Sequence, residues 1–384
     1  MLVLQYTLIF TTVLALVALG GMFAERSGVI NLGLEGIMVI GALTGAIVSA
    51  YLTKINTPIF LNVVVSILSS MLAGWIFSML LGVACITFKA DQTLVGTALN
   101  IMSTAFAVVV ARMYTKTPSS EIAYVSSMYK TILSIDKTGF LVILIILLII
   151  LAAFAVLVFY SKTNKIVYKY LNINGNKMVI DKYKINMDLI IKIVSVALVA
   201  LALVLVVITG TKESINFKIE ISWFLLMMLI LVVASYIFLF KTTVGMRLMS
   251  CGEHPQAAGS VGINVYFQRY LGVSISGVLT GLGGFAYIVQ SAGCWDFKYG
   301  VAGFGFLALA VMIFGQWKPF RIFLAALIFG LCQTVSVFYA GRWGIPQFVY
   351  KMLPYVVCMV VLIMTSKKSK APKAEGIPYD KGQR

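Results

Sequence analysis

Apolar runs alternate along the chain with short polar connections, and eleven of the runs are long enough to cross about 30 Å of hydrocarbon as helices. They fall at 4–22, 35–53, 58–83, 93–111, 139–160, 188–209, 221–240, 266–290, 300–314, 321–340 and 346–365. The stretch 2–21 has no basic region before it and no small-residue cleavage site after it, so it reads as a retained span rather than a signal peptide. This pattern predicts an all-α, polytopic membrane protein of about eleven transmembrane helices. Composition agrees. Of 384 residues 61% are hydrophobic and 11% charged, at a mean hydropathy of +1.00, whereas a soluble globule carries about a quarter charged residues.

The formal net charge of +17 would suit a nucleic-acid partner if it were spread along one face. Instead it is concentrated in particular connections. Lys162, Lys165, Lys169, Lys177, Lys182 and Lys184 share one loop, and Lys367, Lys368, Lys370, Lys373, Lys381 and Arg384 share the tail at 366–384. The positive-inside rule assigns such loops to the cytoplasm, so the charge reports topology and no nucleic acid is expected. Five scattered cysteines form no CxxC pair and no ligand spacing, which leaves no metal site and no disulfide framework to propose.

One polar interruption stands out, KTTVGMRLMSCGEHPQAAGSVGIN at 241–264, which holds the only histidine, His254. Thr242, Thr243 and Gly245 look like an exit turn. Glu253-His254-Pro255 followed by Gln256-Ala257-Ala258 reads as a helix start with proline in the first turn, and Gly262 with Asn264 would stop that helix. By spacing alone the stretch is either a solvated connection or a short exposed helix whose small side chains let a partner's backbone approach.

The run Gln256-Ala257-Ala258, three residues, Gly262 resembles the coupling loop of ABC importer permeases, with Gln256 where the usual pattern has glutamate. The longer string GEHPQAAGSVGINVYFQRYLGVSISGVLTGLGG is similar to permeases for branched-chain amino acids, simple sugars and nucleosides, and most to the nucleoside branch. Within this resemblance Gly252, Glu253, Gln256, Ala257, Ala258 and Gly262 are the residues expected to couple to an ATPase. Placing 241–265 inside fixes the rest by alternation, with the N-terminus outside and the C-terminus cytoplasmic.

ERSGVINLGLEGIMVIGA, starting at Glu25, resembles a second signature of nucleoside permeases, and GFGFLALAVMIFGQWKPF (303–320) and APKAEGIPYDKG (371–382) resemble the last signature and the ending. Chemistry leaves two readings for Asn31 and Glu35: a tight helix crossing with Glu25 and Arg26 paired at the surface, or a stretch of substrate path. Gln92 and Asn100 in KADQTLVGTALN pose the same choice, since an intramembrane amide either meets a ribose hydroxyl or base edge or cross-links two helices. The outer loop 112–138 is placed to receive a binding protein. Residues 139–215 fall outside the resemblance and read as an inserted, peripheral helical hairpin whose lysine loop lies on the inner membrane surface.

No paired carboxylates share a span and no GxxxxGK[ST] loop occurs, so neither catalysis nor ATP hydrolysis by this chain is expected, and no cofactor is called for. The resemblance implies the permease domain, residues 1–365, of an importer in a bacterial cell membrane. It implies as partners an ABC ATPase subunit, a second permease (a paralogue or the chain itself), an extracellular substrate-binding lipoprotein, membrane lipid and a nucleoside substrate. The same architecture carrying a simple sugar or riboflavin remains an alternative. A membrane scaffold or enzyme without an ATPase partner is the alternative of another class.

Overall fold

The computed structural model describes residues 2–115, 122–123, 133–135, 167–173, 176–183, 219–296, 300–338, 347–365 and 371–380. Two compact units are separable, one of Met1–Leu133 with Glu220–Arg384 and one of Ser134–Ile219. The chain is an all-α polytopic membrane protein with a few short strands. Its helices are α1 (Leu2–Arg26), α2 (Leu34–Lys54), α3 (Ile59–Gly82), α4 (Gln92–Thr115), α5 (Trp223–Lys241), α6 (Thr243–Glu253), α7 (Pro255–Ser260), α8 (Val265–Tyr287), α9 (Phe304–Phe314), α10 (Pro319–Phe338) and α11 (Gln347–Thr365). The π-helical turns Val83–Thr87 and Ile288–Ala292 prolong α3 and α8. The strands are β1 (Ile122–Ala123), β2 (Leu133–Ile135), β3 (Val167–Ile173), β4 (Asn176–Tyr183), β5 (Ile219–Ile221) and β6 (Cys294–Trp295). In the first unit β1 and β6 pair antiparallel over two residues each.

Side-chain caps set several helix starts, as expected where four orphan N–H groups need acceptors. The Ser222 hydroxyl accepts from Leu225 N at 3.3 Å, Thr242 from Gly245 N at 3.2 Å, and Asn264 from Phe267 N at 3.1 Å. Exposed Asp91 caps α4, and the hydrogen bond from the Thr93 hydroxyl, followed by those from the backbone N–H groups of Leu94 and Thr93, holds its carboxyl below the usual carboxylate range.

Helices α1 and α8 form the centre of the first unit, with 89% and 83% of their apolar windows buried, against 28% for α3, α4 and α5. Large apolar side chains on the outer helices stay exposed, among them Phe60, Ile101 and Ile230, which is the arrangement lipid solvates. In α8, small residues bring backbones together: a methyl added at Gly281 would stand 3.0 Å from the Gly74 Cα of α3 and run into the Ser70 carbonyl. Gly281→Ala is therefore expected to cost about 1–3 kcal/mol through overpacking. Thermal melting in detergent checks this, and an unshifted melt would show that α3 and α8 do not cross so closely.

Among the described residues seven helices are long and apolar enough to cross a membrane: Val3–Arg26, Leu34–Lys54, Ile59–Thr87, Gln92–Thr115, Trp223–Lys241, Val265–Ala292 and Pro319–Phe338. Each matches an expected run, and α11 falls on the run 346–365. The runs 139–160 and 188–209 lie outside the described residues. The run 300–314 is only partly helical. Helix α9 has 11 residues, or about 16 Å at 1.5 Å per residue, roughly half the hydrocarbon core. Left-handed Gly303 (φ 77°) starts it late, and a turn with Gln316 and Trp317 at φ 53° follows its end. Within the second unit β3 and β4 pair antiparallel from Val167 opposite Tyr183 to Ile173 opposite Asn176, inside the lysine-rich connection that the apolar pattern leaves as a loop.

Candidate functional site

The connection between α1 and α2 brings together three of the four candidate path residues, Asn31 within it and Gln92 and Asn100 against it. Asn31 is fully buried; its Nδ2 donates to the Ser276 hydroxyl of α8 at 2.9 Å, and its Oδ1 accepts from Gly33 N at 3.1 Å. Gln92 and Asn100 lie on one face of α4, eight residues apart, with Gly96 between them. Gln92 Oε1 accepts from Ile30 N at 2.6 Å. Asn100 Oδ1 accepts from Gly36 N at 2.8 Å while its Nδ2 donates to the Leu32 carbonyl at 2.9 Å. A methyl at Gly96 would meet Leu32 Cβ at 2.8 Å, so α4 presses directly on the turn that closes the connection. An irregular backbone at this depth has to find acceptors and donors inside the protein, and these amides supply them.

Glu35 turns to the other side, onto α9. Its Oε1 accepts from Gly303 N at 2.9 Å and its Oε2 from Gly305 N at 2.6 Å, which places a carboxylate on a helix N-terminus where backbone N–H groups and the helix dipole favour it. Tyr287 and Tyr355 sit close enough to feel its charge. Phe304 extends the group: its ring centroid is 4.9 Å from Tyr287 and 5.6 Å from Phe10, stacked on the latter. These aromatics were not singled out from the sequence. Their signal was weak, because α1, α8, α9 and α11 each supply one of them from a mostly apolar string.

The expected surface pairing of Glu25 with Arg26 does not form. Glu25 is buried and accepts the Trp317 indole N–H at 2.6 Å, while Arg26 donates through Nε and Nη2 to the Trp317 carbonyl at 3.3 and 3.1 Å. The turn after α9 presents both groups of Trp317 toward the end of α1, and buried donors and acceptors need partners more than an exposed ion pair needs closure. Helix α9 is thus held at both ends, by Glu35 at its start and by Glu25 and Arg26 just past its end.

The polar interruption folds as two helices rather than one helix from Glu253 to Gly262. Thr242 opens α6 instead of merely ending α5, Glu253 ends α6, and His254 breaks the chain (φ −145°, ψ 82°) before Pro255 starts α7. Gly262 follows at φ +88° with open space around it, the left-handed position that ends a helix at little cost only for glycine. Of the six coupling candidates, Gln256, Ala257 and Gly262 are exposed, Glu253 is half-buried, and Gly252 and Ala258 are buried. Gly252 faces the end of α1, where a methyl would lie 3.3 Å from Gly28 N. Ala258, on the buried side of α7, joins a small apolar cluster with Cys251, Val265 and Tyr379.

A bundle of apolar helices around a tightly stitched connection, carrying a short exposed helix of small residues, is the architecture of a transport permease. The chain belongs to the family described as branched-chain amino acid transport system / permease component, whose profile matches residues 3–167 and 160–364. It is a multi-pass integral protein of the bacterial plasma membrane. The guanosine ABC transporter permease protein NupQ of Bacillus subtilis (strain 168) is 33% identical over 388 residues, covering 98% of this chain and 96% of that one. The nucleoside ABC transporter permease protein NupC of Lactococcus lactis is 32% identical over 379 residues, with the same shares of 98% and 96%. A putative glucose ABC transporter permease protein of Haloferax volcanii, TsgC13, is 24% identical over 334 residues, covering 87% of this chain and 76% of its own. No solved structure matches the chain.

Proposed function

We propose that this protein is the membrane-spanning permease subunit of an ATP-driven ABC importer for nucleosides. The observation that carries this reading is the near full-length similarity, at 33% and 32% identity, to two permeases named for guanosine and nucleosides, against 24% identity over 87% of the chain to one named as a putative glucose permease. A separate ATPase docks on α7 through the outward side formed by Gln256, Ala257 and Ser260, all exposed. The chain contributes no ATPase site of its own. A second permease, either a paralogue or another copy, completes the pathway, and an extracellular binding lipoprotein delivers substrate. With α7 on the cytoplasmic side, the loop 241–265 and residues 371–380 face the ATPase.

Asn31, Glu35, Gln92 and Asn100 frame the path by fixing the α1–α2 connection. Glu35 with Tyr287 and Tyr355 is the part of that frame best suited to a nucleoside, because aromatic faces stack on a base and a carboxylate accepts ribose or amino protons. Vesicles holding the permease with its second permease, ATPase and binding protein are expected to accumulate radiolabelled guanosine only when ATP is present. Uptake of glucose in preference to guanosine would transfer the assignment to the sugar branch, and ATP-independent uptake would remove the importer reading.

A further inference from the structure

Helix α7 has six residues, and a helix of that length is not stable in water on its own. Its position is set by what lies beneath it, and that is residues 371–380. Tyr379 is 8% exposed, its ring stands edge-on to Tyr266 at 5.3 Å, and its carbonyl accepts from the Tyr266 hydroxyl at 3.4 Å. The Tyr379 hydroxyl sits under Gly259 so closely that a methyl there would meet it at 2.5 Å. From this point the segment runs back across the end of the bundle. Lys89 pairs with Asp380 at 3.1 Å, Gly376 N donates to the Gly28 carbonyl at 3.3 Å, and Ala374 N donates to the Gly252 carbonyl at 2.9 Å. Between these two bonds Glu375 passes close enough to Glu25 for their charges to interact, and Glu25 holds Trp317 just past α9. One strand of chain therefore touches α7, the foot of α6, the α1–α2 connection and the anchor of α9.

We propose that residues 371–380 are a strap that positions α7 for its partner and links it mechanically to the α1–α2 connection, with Tyr379 as the positioning residue. This inference rests on the reading of α7 as the ATPase dock. A rigid link is needed there because α7 itself has only the small cluster of Cys251, Ala258, Val265 and Tyr379 beneath it. Without Tyr379 a groove-bound α7 would rock on its two flanking breaks at His254 and Gly262, and movement would not reach Gly28.

The strap also carries a titratable carboxyl into its contact with α1. Glu375 is held over the end of that helix by the bonds of its neighbours Ala374 and Gly376 to Gly252 and Gly28, and burial there pushes its carboxyl above the ordinary carboxylate range. The other charged groups around the strap include Glu253, next to Gly252 and facing Arg26. Arg26 is turned to the Trp317 carbonyl, Arg269 of α8 lies against Gly28, Cys251 of α6 lies under Tyr379, and Lys89 is paired with Asp380. A carboxyl whose docked value is raised contributes stability that is complete below its free value and is lost as pH rises through the docked value. The strap should loosen toward alkaline pH.

Cys251 reports this directly, since it is fully buried beneath the strap. With the other four cysteines replaced by alanine, maleimide labelling and guanosine uptake per ATP are measured in vesicles holding the permease with its second permease, ATPase and binding protein. Tyr379→Ala should label Cys251 about tenfold faster and lower uptake per ATP by a similar factor while ATP hydrolysis continues, as removal of a buried aromatic ring implies. Tyr379→Phe, which keeps the ring, should behave as wild type. Labelling of wild type relative to Glu375→Gln should rise with pH, a ratio that cancels the titration of the thiol itself. Wild-type labelling and coupling in Tyr379→Ala, or a proportional loss of uptake and hydrolysis with Cys251 still protected, overturns the strap. If Tyr379→Ala does not reach the membrane, the pH ratio decides, and a flat ratio overturns it. Absence of ATP-driven uptake in wild type alongside exposure of Cys251 in Tyr379→Ala would instead reject the dock and leave the strap in place.

Discussion

Ala257→Trp is expected to reduce ATP-driven uptake by a factor of ten or more while leaving membrane insertion and thermal stability as in wild type. Ala257 is exposed on the outward side of α7, so the larger side chain displaces nothing inside the permease. It obstructs only a partner that must come close to the helix backbone. Substitutions at the neighbouring positions act differently. Ala258 is 5% exposed and packs on Tyr379 and Val265, so Ala258→Trp is expected to unseat α7 from below and to lower stability as well. Gly262→Val meets open space but forces a β-branched residue to φ +88°, at about 1–2 kcal/mol of backbone strain, and its effect on uptake should be milder than that of Ala257→Trp. Co-purification of the ATPase with each variant is the measurement. Full retention of the ATPase and of uptake by Ala257→Trp would refute docking at α7.

How far the fold could be read from the sequence depended on which distances decide it. The spans were legible because a hydrocarbon core imposes one length on every crossing helix, and eight of the expected runs coincide with described helices of 19 residues or more. Helix α9 was not, since the apolar string 300–314 carries no mark of the turn at Gly303 or of the one at Gln316 and Trp317, whose left-handed conformations are held by contacts with Glu35 and with the end of α1. Helix α6 was hidden for a similar reason: the break at His254 splits one polar stretch into two helices, and Pro255 announced only the second. The β3–β4 hairpin did carry a signal, Asn174-Gly175 between runs rich in tyrosine, valine and isoleucine, which the count of lysines obscured. At the candidate site the polar residues drew notice because buried amides and carboxylates are costly in a membrane, but most of their partners, such as Gly303 and Gly305 for Glu35 and Ser276 for Asn31, lie far along the chain. The approach of residues 371–380 to Gly28 spans almost the whole sequence, and no local pattern encodes it.

The second large effect is expected at Glu35. Its carboxylate takes two N–H groups from the first turn of α9, and Gly305 lies so close that a methyl there would stand 2.5 Å from the Glu35 Cα. Glu35→Ala leaves both donors without acceptors inside the membrane and removes a negative charge from a helix N-terminus. Hydrogen bonds to a charged group contribute about 1.5–3 kcal/mol each, so the variant should melt several degrees lower and lose uptake. Glu35→Gln separates seating from transport. One side-chain oxygen remains to accept from Gly303 or Gly305, while the amide nitrogen would face a donor, so part of the seating survives and the charge near Tyr287 and Tyr355 is gone. If Glu35 serves the substrate path, Glu35→Gln should assemble with the ATPase near wild-type levels and take up guanosine about tenfold more slowly. The same comparison applied to Asn31→Ala and Asn100→Ala should show smaller losses, because each fixes the connection through neutral bonds worth about 1 kcal/mol. Loss of ATPase assembly in step with uptake across this series would make the whole cluster a packing device, with the substrate passing elsewhere.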